Sequence, residues 1–199
     1  MERSLFSSEI NKIRRLSMFD IRKLQEQILF DAVKNHSDSD TAKEIVYGID
    51  QSAVREDNAH WVKSTMGRME NTFNQEQAKQ IRMNCQCGYG MDEKMALVKE
   101  LMSGASNLDE FANSDKARAA GLFCEDGTLY LQFTFCPCPM VADVDKFETN
   151  TWCQCTTGYS QVLFEKAFGC KVDVELLKSI KMGDERCLMK ILPYGPIWE

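Results

Sequence analysis

The stretch from Trp152 to Ile191, WCQCTTGYSQVLFEKAFGCKVDVELLKSIKMGDERCLMKI, decides how this chain is read. It places a Cys-x-Cys pair, a glycine, an amphipathic run and two strand-like runs in one short span. Between Ser160 and Phe168, Val162, Leu163, Ala167 and Phe168 fall on one side at helical spacing, and Gly169 follows as the stop that helices favour. Val172, Val174, Leu176 and Ile180 recur at even spacing, which suits a strand with one buried face. Met182 to Glu185 is turn material, with Gly183 supplying a positive φ and Asp184 bracing the turn. Cys187 to Ile191 then returns as a second strand. A helix followed by a hairpin is the expectation.

Upstream of this span the chain is helical in pattern. Residues 9–34 carry Ile10, Ile13, Leu16, Phe19, Leu24, Ile28 and Leu29 as a near-3.6 stripe, with Arg14, Arg15, Arg22 and Lys23 read as a solvated face. Asp40 or Thr41 would cap a helix that ends at Gly48. Further helices are expected over about 50–71, 75–83 and 91–102, with short pieces at 108–112 and 115–120. After Gly121 the character changes. Leu122-Phe123-Cys124 and Thr128 to Phe135 flank Glu125-Asp126-Gly127, a hairpin signal. Cys136-Pro137-Cys138-Pro139 must end that second strand or leave it at an edge, since proline cannot donate to a ladder. The expected fold class is α+β: a helical N-terminal half packed on an antiparallel sheet, with hairpins and a helix in the C-terminal half. Residues 1–35 read as an N-terminal helix that could pair with a second copy, and 36–199 as a single α+β domain of ligand-binding type.

Composition excludes several classes. A net charge of −6 argues against a nucleic-acid partner, which needs a basic footprint. No apolar run approaches the roughly 20 residues of a membrane span. The first residues, MERSLFSSEINKIRRL, carry charge at once and lack an apolar core, so they are not read as a signal peptide, and the expected location is cytoplasmic. Only His36 and His60 are present, which leaves almost no material for a Ser-His-Asp or Cys-His set.

Nine cysteines carry the chemistry, and six fall in Cys-x-Cys pairs: Cys85/Cys87, Cys136/Cys138 and Cys153/Cys155. In extended chain, residues i and i+2 point to one side, so each pair can present two thiolates to one ion. Two pairs complete a tetrathiolate site for zinc; an iron–sulfur cluster is the less favoured occupant, because the usual closely spaced cysteine runs are missing. The bland alternative is that cysteine fills the core as a small hydrophobe. That reading is preferred for Cys124, Cys170 and Cys187. Beside the thiols, Tyr89, Tyr130, Phe133, Trp152, Tyr159 and Met140 are the candidates for lining a pocket for a small apolar or aromatic ligand.

The span quoted first also carries a resemblance. A cysteine five residues before a glycine, a helix, a strand and then Gly-Asp-x-x-Cys-x-x-x-Ile is similar to the end of the 4-vinyl-reductase-type domain, a small-molecule-binding family. That family includes bacteriochlorophyll vinyl reductase and aromatic-sensing transcription activators, and its fold is shared with vesicle-tethering subunits. Cys153 matches the family's first cysteine and Gly158 its glycine, while Gly183, Asp184 and Cys187 match the final turn. Members that hold zinc use a glutamate and a second cysteine where this chain has Leu176 and Ser179, so that ligand set does not transfer intact. The resemblance covers about the last third of the chain and implies a sensor- or carrier-like domain. A more distant likeness, to thiazoline-carboxylate hydrolase-like proteins, implies instead an enzyme. A thiolate of Cys136, Cys138, Cys153 or Cys155, or a metal-bound water, would then do the work. A purely structural module, assembling through its N-terminal helix, is the third expectation.

Overall fold

The computed structural model describes residues 20–49 and 57–198. The first part of the expected N-terminal helix, residues 1–19, and the start of the helix expected from residue 50 lie outside them. Among the described residues, seven helices precede the sheet: α1 (Ile21–His36), α2 (Ser39–Tyr47), α3 (Asn58–Thr72), α4 (Gln75–Met83), α5 (Met91–Ser103), α6 (Leu108–Asn113) and α7 (Asp115–Ala119). Strands β1 (Leu122–Glu125) and β2 (Thr128–Phe133) follow, then α8 (Gln154–Phe168), β3 (Val172–Lys178) and β4 (Cys187–Pro193). Single 3-10 turns stand at Pro139–Val141 and Ile180–Met182. The four strands form one antiparallel sheet in the order β1-β2-β4-β3. The chain is α+β, with most helices in the first half and the sheet in the second. Among the described residues, no helix is long and apolar enough to cross a membrane.

Local chemistry accounts for the boundaries. Asp38 rather than Asp40 or Thr41 caps α2, its carboxylate accepting from the amides of Asp40 and Thr41 at 2.8 Å each. Asn74 and Gln77 close a capping box on α4. Asp126 and Gly127, at φ 50° and 71°, make the two-residue turn that joins β1 to β2. Gly183 takes φ 97°, and the Asp184 carboxylate accepts from the Ser179 amide at 2.7 Å, so that turn is built as its residues suggest.

Two hydrophobic clusters hold these elements. Leu29, Val33, Ile45, Trp61, Val62, Met69 and Ile81 from α1–α4 pack with Met140, Val144 and Trp152. Leu129, Leu131, Met189, Ile191, Val172 and Val174 on one sheet face pack with Leu163, Phe164 and Phe168 of α8 and Phe111 of α6. Arg22 departs from the solvated face expected of it. It is buried, with its guanidinium 4.2 Å from the centre of the Trp61 ring and its Nε donating to Glu26 at 2.6 Å. An ion pair together with an aromatic face makes burial of that charge tolerable, which helical periodicity alone does not reveal.

The helical cluster meets α8 at one close approach. A Cβ placed on Gly158 would stand 1.9 Å from the Met83 carbonyl oxygen and under 3 Å from two further Met83 backbone atoms. Gly158 is therefore the point where the end of α4 lies directly against α8.

Candidate functional site

Where the start of α8, the loop after β2 and the sheet meet, a cavity of about 20 Å³ is lined by Cys136, Cys138, Cys153, Cys155, Trp152 and Cys187, among others. That is room for about one water-sized or ion-sized occupant. Leu176 and Met189 form the sheet-side wall. No His, Asp or Glu lines the cavity.

Each cysteine arrives by a different local route. After β2 ends at Phe133, the residues from Cys136 to Cys138 run without regular structure into the 3-10 turn, and Pro137 and Pro139 bar any continuation of the ladder. Cys187 opens β4 opposite Phe133. Cys153 and Cys155 are not an extended pair. Helix α8 starts at Gln154, six residues before the run of Ser160 to Phe168 that marks it in sequence, and Cys153 already has helical angles of φ −71° and ψ −14°. At about 100° per residue the two side chains point in different directions. Cys153 stands 3.4 Å from the Ser179 hydroxyl, whereas Cys155 is turned inward toward Arg82.

Cys85 and Cys87 also part company. Cys85 is buried and donates its thiol hydrogen to the Ile81 carbonyl at 3.2 Å. Cys87 lies on the side of Tyr159, whose hydroxyl donates to the Tyr89 carbonyl at 3.0 Å. Cys187, read from sequence as core filling, is on the cavity wall, and Cys87 is not. The signal for Cys187 was its place in the Gly-Asp-x-x-Cys turn rather than any pairing with a neighbouring cysteine.

The six residues expected to line a ligand pocket do not meet. Trp152 alone is at the cavity. Met140 is buried in the helical cluster, and Tyr130 stacks on Phe123 with ring centres 5.0 Å apart. Phe133 lies against Phe135, while Tyr89 and Tyr159 form their own contact beside α5. Alternation along β2 explains the split, since Tyr130 and Leu131 must face opposite sides of the sheet.

The electrostatics are unusual. Burial pushes the Cys153 thiol up to about 11 and the Cys155 thiol up to about 12, with neighbouring thiols adding to both. Burial also raises Cys85 and Cys138. The Trp152 indole N–H and the Met140 amide favour the ionised form of Cys138 in opposition to that. Behind Trp152 sits Arg82, fully buried, with its guanidinium 4.1 Å from the ring centre and its Nη2 donating to the Trp152 carbonyl at 3.0 Å. Burial works against its charge, and the thiols of Cys85, Cys155 and Cys138 work for it strongly enough to leave its pKa above the ordinary value. Among the described residues, no carboxylate acts on it. Sequence patterning gave no hint of Arg82, because an arginine in a short polar helix reads as solvated.

Among the described residues, no three His, Cys, Asp or Glu side chains stand at metal-ligand geometry. The lining sulfurs surround the cavity without pointing at one centre. Chemically the arrangement offers soft thiol donors around an ion-sized space, with a fixed cation behind them. No curated protein and no solved structure matches the chain. A family model does match, over residues 18–198, and by that match the chain belongs to the Family of unknown function (DUF6144).

Proposed function

We propose that this is a cysteine-thiolate metal-binding domain that holds one soft divalent ion, zinc first, at the cavity between α8 and the sheet. Cys138 and Cys153 are its central ligands, and Cys136, Cys155 and Cys187, which line the same cavity, would turn toward the ion to complete the set. The single observation that carries this is the buried Arg82, whose charge is answered, among the described residues, by the thiols of Cys85, Cys155 and Cys138. Burial keeps those thiols neutral, so the cation has no anion to face until something ionises them. A bound metal does that outright, because a coordinating thiol loses its proton.

A sensor- or carrier-like role for a small apolar or aromatic ligand rests on the 4-vinyl-reductase-type resemblance. The apolar wall of Leu176 and Met189 is where such a ligand would lie beside the ion, and at about 20 Å³ the cavity must open to admit it. A hydrolase-like reaction would have to run through metal-bound water, since the lining holds no His, Asp or Glu to act as a general base and burial raises the Cys138, Cys153 and Cys155 thiols. Among the described residues the cysteines are free thiols, which suits a reducing compartment such as the cytoplasm.

Elemental analysis of the full chain, purified without chelator, tests the metal. About one equivalent of zinc is expected, lost in Cys153→Ala and retained in Cys87→Ala. Less than about a tenth of an equivalent, with no uptake when zinc is added back, would end the proposal.

A further inference from the structure

We propose that Arg82 is the built-in counter-cation of the thiolate centre, the residue that sets how tightly this site holds an anionic metal–thiolate complex. The proposal rests on the reading of the cavity given above and goes beyond it by naming the group that tunes it. Arg82 lies in the last turn of α4 and is fully buried. Guanidinium does not lose its proton in proteins, so its charge is permanent and must be answered from within the fold. One of its nitrogens is used, on the Trp152 carbonyl, but Nε and Nη1 find no acceptor of full hydrogen-bond geometry. Among the described residues, the groups acting on the guanidinium are the sulfurs of Cys85, Cys155 and Cys138. The Trp152 indole N–H belongs to the same layer, has no acceptor at full hydrogen-bond geometry, and acts on Cys138.

Three buried donor nitrogens, Arg82 Nε and Nη1 and the Trp152 indole nitrogen, thus have thiols as the acceptors nearest to hand, none of them at full hydrogen-bond geometry. Such donors are satisfied by excess negative charge on sulfur, and a divalent ion carrying three or four thiolates holds one or two units of it. Partners in the layer behind the ligands orient them and raise metal affinity, typically by 10–100-fold each. Stacking on Trp152 fixes the plane of the fork, which a compact lysine ammonium cannot reproduce.

Cobalt(II) titration of the chelator-stripped full chain tests this, read by the thiolate-to-cobalt charge-transfer absorption. Wild type should saturate near one equivalent. Arg82→Met should need roughly 10–100-fold more cobalt, Arg82→Lys should recover part of the loss because the charge is restored, and Trp152→Phe should fall between wild type and Arg82→Met. An Arg82→Met chain that is folded by circular dichroism and binds cobalt as wild type does overturns the proposal. Should that variant not fold, Arg82→Lys and Trp152→Phe decide, and wild-type affinity in both overturns it equally. Absence of any cobalt absorption in wild type sinks the thiolate centre itself, and Arg82's role with it.

Discussion

Gly158→Ala is expected to destabilise the protein by about 3 kcal/mol or more, at the upper end of what overpacking costs. The added methyl would lie 1.9 Å from the Met83 carbonyl oxygen, and its neighbours there are backbone atoms, which have no rotamer to escape into. Either α8 or the end of α4 must move by more than an ångström. For a chain of this size each kcal/mol is worth roughly 2–4 °C in the melting midpoint, so a fall of at least about 6 °C by differential scanning calorimetry is expected. The same displacement would draw Arg82 and Cys85, which precede and follow Met83, away from Cys155 on α8. Metal affinity should therefore fall together with stability. A variant that melts within a degree of wild type would show that the two helices have slack here.

Stripping the metal should produce the other large effect. An ion that binds the folded chain and not the unfolded one adds about 4 kcal/mol when its free concentration is a thousandfold above its dissociation constant. Chelation is thus expected to lower the melting midpoint by roughly 8–16 °C. The cause is specific to this site. Without the ion, the half-buried Cys153 and Cys155 stay neutral, and Arg82 is left as a buried cation facing dipoles rather than anions. Adding zinc back should restore the midpoint, and adding magnesium should not, because hard ions do not favour thiolate ligands. Identical melting curves with and without chelator would count against an ion that supports the fold.

Much of the architecture is legible in the sequence because its signals are local. The β1–β2 turn is set by Asp126-Gly127, the β3–β4 turn by Gly183-Asp184, and the end of α8 by Gly169; each acts within a few residues. The limits of α5 and the span of α4 follow from their apolar spacing in the same way. The start of α8 was misplaced for a definite reason. Cys153 to Tyr159 lacks an apolar stripe, because that turn faces α4 and the cavity rather than the sheet, and a buried glycine and threonine carry no hydropathy signal. The candidate site was legible in residue type and not in direction. Counting cysteines two apart locates thiols, but whether a pair shares a face depends on backbone angles, which are helical at Cys153 and irregular at Cys85 and Cys136. Cys187 and Arg82 come from β4 and α4, far from the Cys-x-Cys pairs they join, and only the packing of those elements brings them there. The pocket aromatics failed to converge for the converse reason, since shared aromatic character says nothing of which side of a sheet each ring takes.

Trp61 and Trp152 meet edge to face with centres 5.8 Å apart, one under the Arg22 guanidinium and the other under Arg82. This stack reaches from α1 to the cavity wall, so the molecule carries its own optical reporter. Zinc uptake replaces the neutral Cys138 thiol beside this indole with a metal-bound thiolate, which changes the charge and the quenching around the ring. Emission from the Trp152 end of the stack should therefore change in step with zinc uptake, with Trp61 passing excitation to it. Trp198, held against the Met102 carbonyl on the far side of the sheet cluster, supplies a steady background. Intrinsic fluorescence would then follow occupancy of the centre in unlabelled protein, and Trp152→Phe would silence the response.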